Sequence, residues 1–183
     1  MPDGMAAKSR ARMLLSAADY LGRRPAATMD EIAVAVGVSR ATLHRHFAGR
    51  PALIEALREA AITALKAVLV EAQLTKGSAV EALQRLVLGC EPVAGYLVLL
   101  YSQELDFAET LVGFADLDRQ ITDLFARGQR DGEFRTDLTA VWLTEAFYSL
   151  VATAEWSIQL GKVARRDFSL MIAGLMLEGI LGS

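Results

Sequence analysis

Hydrophobic residues recur at intervals of three and four positions along nearly the whole chain. This spacing places apolar side chains on one face of an α-helix. No segment alternates apolar and polar residues between hairpin turns, as a half-buried strand would. We therefore predict an all-α fold. Its first helix extends from about Lys8 to Leu21 and carries its apolar stripe at Ala11, Leu14, Leu15 and Ala18.

Polar residues predict where two short helices begin. Thr28 is a favourable N-cap, and Glu31 three residues later completes a capping box. Ser39 can cap the next helix, and Val38 can pack on Leu43 as a hydrophobic staple that sets the angle of entry. Two helices joined by a tight turn are therefore expected between residues 28 and 47.

Later breaks divide the remaining sequence into longer helices. Pro51 suits the first turn of a helix that the apolar spacing extends to about Leu74. After the break at Lys76-Gly77, Ser78 and Glu81 repeat the capping-box pattern. Further helices are predicted near 78–89, 92–103, 107–131, 138–160 and 167–181, with Gly132 ending one helix and Asp137 starting the next.

Charge divides the chain unevenly. Residues 1–58 carry nine basic and five acidic side chains, a net charge of +4, so the remainder holds −7 of the total of −3. A basic head on an acidic body is typical of a DNA-binding module joined to a different module, although chance asymmetry would give the same division. We predict a helix-turn-helix DNA-binding domain at 1–50 and a helical ligand-binding and dimerisation domain at 51–183. The break at Lys76-Gly77 is the predicted seam between the two modules, although the long helix before it could also bridge them.

Composition favours a soluble cytoplasmic protein. The single cysteine, Cys90, cannot form an internal disulfide, and no charged-then-apolar leader opens the sequence. The apolar segment Pro92–Gln103 is shorter than the roughly 20 residues that a membrane-spanning helix needs, so we interpret it as core.

The third predicted helix has two chemically different faces. Leu43 and Phe47 fall together on the inward side. On the outward side, arginine can bind both acceptors of guanine, and threonine or alanine can contact a thymine methyl group, while the edges approach phosphates. Taken alone, Arg40 and Arg45 would more often be solvated surface charges, and only their place in the outward set favours a DNA contact. The outward and edge positions are Arg40, Ala41, Thr42, His44, Arg45 and His46.

Between Ala11 and Leu57 the sequence resembles the DNA-binding signature of the TetR (tetracycline repressor) family. The resemblance is carried by Thr28, Ile32-Ala33, Gly37-Val38-Ser39, Thr42-Leu43, His46-Phe47 and Leu53. It implies a transcriptional regulator, most often a repressor, that binds a palindromic operator as a homodimer and is released by a small-molecule effector. The resemblance implies no cofactor and no metal.

Two positions depart from the family pattern, which commonly has tyrosine at His44 and lysine at Arg50. In the family both positions usually contact backbone phosphates, and the corresponding threonine at Thr28 often does so too. Thr28 and Ser39 would also be explained by capping alone. Because imidazole has an ordinary pKa near 6.5, a phosphate contact from His44 would weaken as the pH rises. With the outward set, the candidate DNA-binding residues therefore include Thr28, Ser39, His44 and Arg50.

The body is predicted to hold an apolar pocket, as the resemblance implies. Its candidate lining, most of which could also be plain core, suits an apolar or aromatic effector. Glu145 and Glu155 could select a cation, or could be acids paired with arginine. The candidate ligand-binding residues are Tyr96, Tyr101, Phe107, Phe114, Trp142, Phe147 and Tyr148.

Dimerisation has separate support in the last two predicted helices. Residues 168–177 are apolar almost all round, and the helix at 138–160 has apolar side chains on more than one face. A seam of four helices from two protomers would cover both, although one deeply buried helix in a monomer would also fit. Two-fold symmetry would match recognition helices to half-sites about 34 Å apart.

Two rival functions remain open. An enzyme is disfavoured because the sequence has no nucleophile turn with a Ser/His/Asp order, no glycine-rich phosphate loop and no metal-spaced His/Cys set, and its only histidines are His44 and His46. The other rival is a ligand-binding or adaptor protein of the same fold that no longer binds DNA. The outward set of arginine and threonine side chains disfavours it.

Overall fold

The computed structural model describes residues 3–101 and 107–180, with side chains for 10–99 and 114–180. Within these ranges the chain forms helices and no strands, so the all-α prediction is confirmed. Two short 3-10 turns, Glu91–Val93 and Arg165–Asp167, precede the sixth and ninth helices. The α-helices are α1 Asp3–Arg23, α2 Met29–Ala35, α3 Arg40–His46, α4 Arg50–Ala72, α5 Ala79–Cys90, α6 Ala94–Tyr101, α7 Phe107–Arg130, α8 Ala140–Gln159 and α9 Phe168–Ile180.

Both predicted capping boxes are present. The Thr28 hydroxyl accepts a hydrogen bond from the Glu31 backbone at 3.3 Å, and the Glu31 carboxylate accepts from the Thr28 backbone at 2.8 Å. Ser78 and Glu81 repeat the arrangement at the start of α5, with both distances 3.1 Å. These bonds satisfy N–H groups that have no partner within their own helix, so each box fixes a helix start.

Two predicted boundaries were wrong. Thr139, not Asp137, caps α8, and the Asp137 carboxylate instead accepts a hydrogen bond from Arg135 Nε at 2.6 Å. The helix predicted at 92–103 begins two residues later, at Ala94, because Pro92 lies in the 3-10 turn that follows α5. Proline has no N–H to donate and therefore interrupts the helical hydrogen bonding at this point.

The first hydrophobic core belongs to the head, which we define as α1, α2, α3 and the N-terminal half of α4. Leu43 and Phe47 are buried in it, with 0% and 3% of their surface exposed, as predicted. Tyr96 and Leu99 of α6 also enter this core, so the head packs directly on the body. The head residues at its centre are Leu14, Ala17, Leu21, Ile32, Leu43, Phe47, Leu53 and Leu57.

The second core lies in the body, which comprises the C-terminal half of α4 and α5 to α9. Leu65, Leu69 and Ala72 continue the buried stripe of α4 into it. α4 therefore contributes one face to both cores, and its 23 residues span about 35 Å. The other principal members are Leu83, Leu86, Leu117, Phe125, Phe134, Phe147, Val151, Phe168 and Ile172.

Charged side chains satisfy the helix ends where α4 and α5 meet. Arg85 donates to the Ala72 carbonyl at 2.8 Å, and Arg127 donates to the Leu74 carbonyl at 2.9 Å. The Glu133 carboxylate accepts from the first backbone N–H of α5 at 2.9 Å, and this bond helps to hold the pKa of Glu133 below its ordinary value. The junction is thus fixed by hydrogen bonds to backbone groups that the helices leave unpaired.

In the described part of the chain, one stretch, Ala79–Leu99, has the length and apolar composition of a membrane span. Within its most apolar window, 61% is buried against other parts of the protein. Core helices of soluble proteins have the same character, so we assign its hydrophobicity to the body core.

Leu43→Ala tests whether the inward face of α3 holds this helix in the head. Leu43 is fully buried, so the substitution should lower the free energy of unfolding by about 2 to 5 kcal/mol. Val34→Ala is the matched control, because Val34 is 81% exposed and its truncation should cost less than about 0.5 kcal/mol. Urea denaturation followed by circular dichroism measures both, and equal losses would contradict this packing.

Candidate nucleic-acid interface and ligand cavity

The turn between α2 and α3 holds α3 against the head with one face free. Ser39 caps α3 by accepting a hydrogen bond from the Thr42 backbone at 3.1 Å. Leu43 and Phe47 anchor the inward face in the head core. The caps and the two anchors fix both the start and the rotation of α3, so its opposite side is presented to solvent as a rigid surface.

The outward face of α3 carries most of the predicted DNA-binding side chains in exposed positions. Its exposed members are Arg40, Ala41, His44, Arg45 and His46. The structure thus brings these residues together on one helix surface, whose size suits the major groove of DNA.

Two members of the predicted set already have protein partners. Arg40 Nη1 lies 3.1 Å from Asp30 Oδ2, but both side chains are more than half exposed, so this ion pair contributes little and can exchange for a phosphate. Thr42 is half-buried, and its hydroxyl lies 2.9 Å from the Ser39 hydroxyl. Its methyl group remains the part suited to a thymine contact.

Arg50 has a structural role that sequence reasoning did not identify. Its half-buried guanidinium donates hydrogen bonds to the backbone carbonyls of Pro25 and Ala27. Arg50 therefore ties the start of α4 to the turn between α1 and α2, immediately before the Thr28 cap. No sequence signal links these residues, because they are more than 20 positions apart.

Exposed arginines outside α3 extend the positive surface of the head. Arg10 lies over the Phe47 ring, with 5.4 Å between the guanidinium carbon and the ring centroid. Arg24 lies over the Tyr20 ring at 5.9 Å. Both guanidinium groups stay exposed, so they add positive potential beside α3 without being buried.

The body contains a small enclosed cavity between α4, α5, α7 and α8. Its volume is about 10 Å³, at the lower limit of the space that can hold one water molecule. The wall is almost wholly apolar, and its lining residues are Leu65, Val68, Leu69, Leu86, Cys90, Leu117, Ile121, Phe147 and Tyr148. A ligand larger than a few atoms could enter only if these helices moved apart.

The predicted ligand-binding residues are not all brought to this cavity. Phe147 and Tyr148 line it, whereas the buried Tyr96 lies in the head core. Phe114 is half-buried and packs against both cores. Trp142 is 60% exposed on the outer side of α8. The predicted side chains of Tyr101 and Phe107 lie outside the described residues.

Cys90 of α5 is one of the residues that line the cavity. The cysteine is 1% exposed, and burial raises the pKa of its thiol to about 12. The low-dielectric surroundings disfavour the thiolate, which is the reactive form. The folded protein therefore keeps this thiol inert.

The alternative interpretation of Glu155, an acid paired with arginine, is correct. Glu155 is 1% exposed, and the Arg165 guanidinium donates to both of its carboxylate oxygens, at 2.8 and 3.0 Å. A buried carboxylate with this partner is already neutralised and is not available to a cationic ligand. Glu145 is exposed on the outer side of α8.

Large apolar side chains remain exposed on α8 and α9. On α8, Trp142 is 60% and Trp156 37% exposed, and Leu160, the residue that follows α8, is 45% exposed. On α9, Leu170 is 74% and Leu175 64% exposed. Both helices pack on the body core through their other faces, so these residues form an apolar surface that the monomer does not cover.

Comparison with known proteins places the head in a family. Residues 10–57 match the family described as bacterial regulatory proteins, tetR family. The chain is 31% identical over 172 residues to the HTH-type transcriptional regulator NfxB of Pseudomonas aeruginosa, covering 92% of each protein. It is 26% identical over 150 residues to the HTH-type transcriptional repressor LfrR of Mycolicibacterium smegmatis, covering 81% of this chain and 78% of LfrR.

Solved structures share the fold. The TetR-like regulator LfrR from Mycobacterium smegmatis superposes with a TM-score of 0.75 at 23% identity, covering 97% of this chain and 99% of that one. Its complex with proflavine gives a TM-score of 0.72 at 24% identity with the same coverage. The ketosteroid regulator KstR2 of Mycobacterium tuberculosis gives 0.68 at 19% identity, covering 95% of both chains. The similarity extends through the body as well as the head.

The reactivity of Cys90 tests the closed cavity. Because the thiol is buried and its pKa is raised to about 12, it should react with a disulfide reagent at pH 8 at least about 100-fold more slowly in the native protein than in guanidinium chloride. The double variant Cys90→Ala with Gln84→Cys, which moves the only thiol to an exposed site on α5, should react fast in both conditions. Rapid native labelling of wild type would show that the cavity is open.

Proposed function

This chain belongs to the tetR family of bacterial regulatory proteins and is a DNA-binding transcriptional regulator. From that premise we propose that it is a homodimeric repressor of a palindromic operator, released when a small molecule occupies the cavity in the body. The main observation behind the proposal is the exposed face of α3. This face points outward because α2 and α3 are both capped and because Leu43 and Phe47 are buried in the head core.

The proposed operator contacts follow from the chemistry of that face. Arg45 reads base edges, with guanine as its best partner, and Ala41 and the Thr42 methyl group contact thymine. Arg40 and the two histidines approach the phosphates at the groove walls. Thr28 and Ser39 place the N-terminal ends of α2 and α3 beside the same phosphates, where backbone N–H groups suit anions. Arg50 supports operator binding by holding the turn before α2 in place, in addition to any phosphate contact that it makes.

The apolar surface of α8 and α9 supports the dimer. Two copies that pair through this surface by a two-fold axis would bury the exposed tryptophan and leucine side chains of both. The same axis would relate two α3 helices, as a palindromic operator requires. Residues 1–50 would then read DNA while residues 51–183 dimerise and bind the effector, with α4 belonging to both.

The effector is proposed to be apolar or aromatic. The cavity wall has this character, and the related regulator LfrR has been crystallised with proflavine, a planar aromatic molecule. A volume of about 10 Å³ cannot hold such a ligand, so binding has to separate α4, α5, α7 and α8. Because α4 also enters the head core, this movement would shift α3. The role is regulatory and cytoplasmic, without catalysis.

Operator binding is tested by selecting duplexes from a random library with the full-length protein, followed by fluorescence anisotropy. Arg45→Ala should weaken binding to the selected duplex by about 10-fold or more, since a base contact by arginine contributes about 1 to 3 kcal/mol. Arg130→Ala removes an exposed arginine of α7 and should leave the affinity unchanged. Affinity should also fall steeply with salt.

Failure of the selection to enrich any duplex would overturn the proposed function and favour a ligand-binding or adaptor protein of the same fold. Equal losses in Arg45→Ala and Arg130→Ala would instead show that binding is non-specific and does not use the outward face of α3.

The dimer is tested by Leu175→Asp. A charge at the centre of the apolar surface of α9 should convert the dimer into a 19.8 kDa monomer, because burying an unpaired carboxylate in the interface is costly. Leu88→Asp is the matched control, since Leu88 is 60% exposed on α5, which is not one of the two helices that carry this surface. Sedimentation equilibrium measures both masses. A dimer that survives Leu175→Asp would contradict this interface.

A further inference from the structure

A polar cluster joins the head to the body at the end of α8. The Gln159 amide Nε2 donates to Asp19 Oδ1 of α1 at 3.3 Å and to Glu155 Oε1 at 3.2 Å. Glu155 in turn accepts hydrogen bonds from the two terminal guanidinium nitrogens of Arg165, Nη1 and Nη2. A single amide group therefore connects a carboxylate of the head to a buried carboxylate of the body.

The same side chains lie where α1 crosses α6. A Cβ atom at Gly95 would come within 1.8 Å of Asp19 Oδ1, so the carboxylate rests directly on the backbone of α6. One turn further along, a Cβ atom at Gly22 would come within 2.7 Å of a Val98 methyl group. Glycine on each helix permits the close crossing and lets the partly buried Asp19 carboxylate lie against α6.

The surroundings of Asp19 disfavour its ionised form. Burial and the nearby Glu155 raise the pKa of Asp19 to about 6, and Arg165 and Arg23 only partly oppose them. Tyr96 of α6 faces the same carboxylate, and its own pKa is raised to about 12 by burial and by Asp19. Two acids thus share the Gln159 amide and the Arg165 guanidinium.

A further group in the cluster lacks a partner. Gln159 Oε1 is buried and accepts no hydrogen bond. Neither ionised carboxylate can supply a donor, because a carboxylate only accepts. A protonated Asp19 would bring an O–H group into the cluster and would also remove the repulsion between Asp19 and Glu155. Glu91, the remaining nearby acid, acts on Arg165 and not on Asp19 directly.

We propose that Asp19, Gln159 and Glu155 are positioning residues that form a latch between the head and the body, and that this latch tightens when Asp19 takes up a proton. Operator affinity should therefore rise in mild acid. The proposal rests on the proposed function, in which the ligand-free arrangement of head and body is the one that binds the operator.

The position of the latch on α8 gives it a link to the cavity. Phe147 and Tyr148 line the cavity on α8, and Glu155 and Gln159 follow two and three turns later on the same helix. Displacement of α8 by a ligand would carry Gln159 away from Asp19. The latch therefore opposes release of the protein from its operator. The stronger the latch, the more of the ligand's binding free energy is needed to open it.

The direction of the pH effect follows from proton linkage. The latched state binds the proton of Asp19 with a pKa of about 6, whereas a carboxyl released into water has the ordinary value of 3.8. Protons therefore favour the latched state as the pH falls through 6. Between pH 7.5 and 5.5 the equilibrium constant for latching rises about fourfold for each protomer, and this factor is the upper limit of the gain in operator affinity that each protomer contributes.

The test measures affinity for an operator duplex, recovered by selection, at pH 7.5 and 5.5 for three full-length proteins. Asp19→Asn keeps the shape of the side chain and removes its titration. Asp123→Asn removes an exposed acid of α7 and is the matched control. The increase in affinity on acidification should be larger in wild type and in Asp123→Asn than in Asp19→Asn, by up to about fourfold for each protomer. Any pH dependence that does not involve Asp19 contributes equally to all three proteins.

Thermal unfolding of the same proteins without DNA separates the latch from operator binding. On going from pH 7.5 to 5.5, the unfolding midpoint of wild type should rise relative to that of Asp19→Asn, because the folded state binds this proton more tightly than the unfolded chain. If no duplex is ever selected, the proposed function fails while this measurement still tests the latch. A midpoint difference that does not change with pH overturns the latch itself.

An equal pH response of operator affinity in wild type and Asp19→Asn overturns the proposal even when thermal unfolding detects the proton. The cluster would then be structural only. The proposal is supported if Asp19→Asn binds the operator at pH 7.5 as tightly as wild type does at pH 5.5, after the pH response of Asp123→Asn has been used to correct for other groups.

Discussion

One continuous helix contributes to both hydrophobic cores, and the arrangement of the rest of the molecule depends on it. The buried stripe of α4 passes from Leu53 and Leu57 in the head to Leu65 and Leu69 in the body without a break. A helix resists bending because its backbone hydrogen bonds are intact along its length. The orientation of α3 is therefore set relative to α4, and any movement of the body that displaces α4 is transmitted to the DNA-binding surface.

A second connection, through α6, also restrains the head. α6 places Tyr96 and Leu99 in the head core, and glycines permit its close crossing with α1. With α4 alone the head could swing about the helix axis, whereas two separate connections define its orientation. Because the second connection includes a polar cluster as well as apolar packing, it can respond to proton binding in a way that a purely apolar contact cannot.

The two large apolar regions of the body have different consequences. Inside, the side chains around Phe147 close the cavity almost completely, so the ligand-free protein gains packing contacts that a ligand must replace. Outside, Trp142 and Leu175 remain exposed, which is unfavourable for an isolated protomer. A closely packed interior together with an exposed apolar surface is expected for a subunit whose stability depends partly on its partner.

The sequence by itself determined the helical character of the chain, the caps of α2, α3 and α5, and the division of α3 into two faces. Those features depend on residues three or four positions apart, such as Thr28 with Glu31, and on the spacing of Leu43 and Phe47, so local physics decides them. Tertiary structure alone decided the contacts between distant residues. Arg50 holds the turn before α2, Glu155 pairs with Arg165 and reaches Asp19 through Gln159, and Tyr96 enters the head core although it was expected in a pocket. These outcomes depend on how helices pack across ten or more, and in one case 140, positions of sequence, where periodicity carries no information.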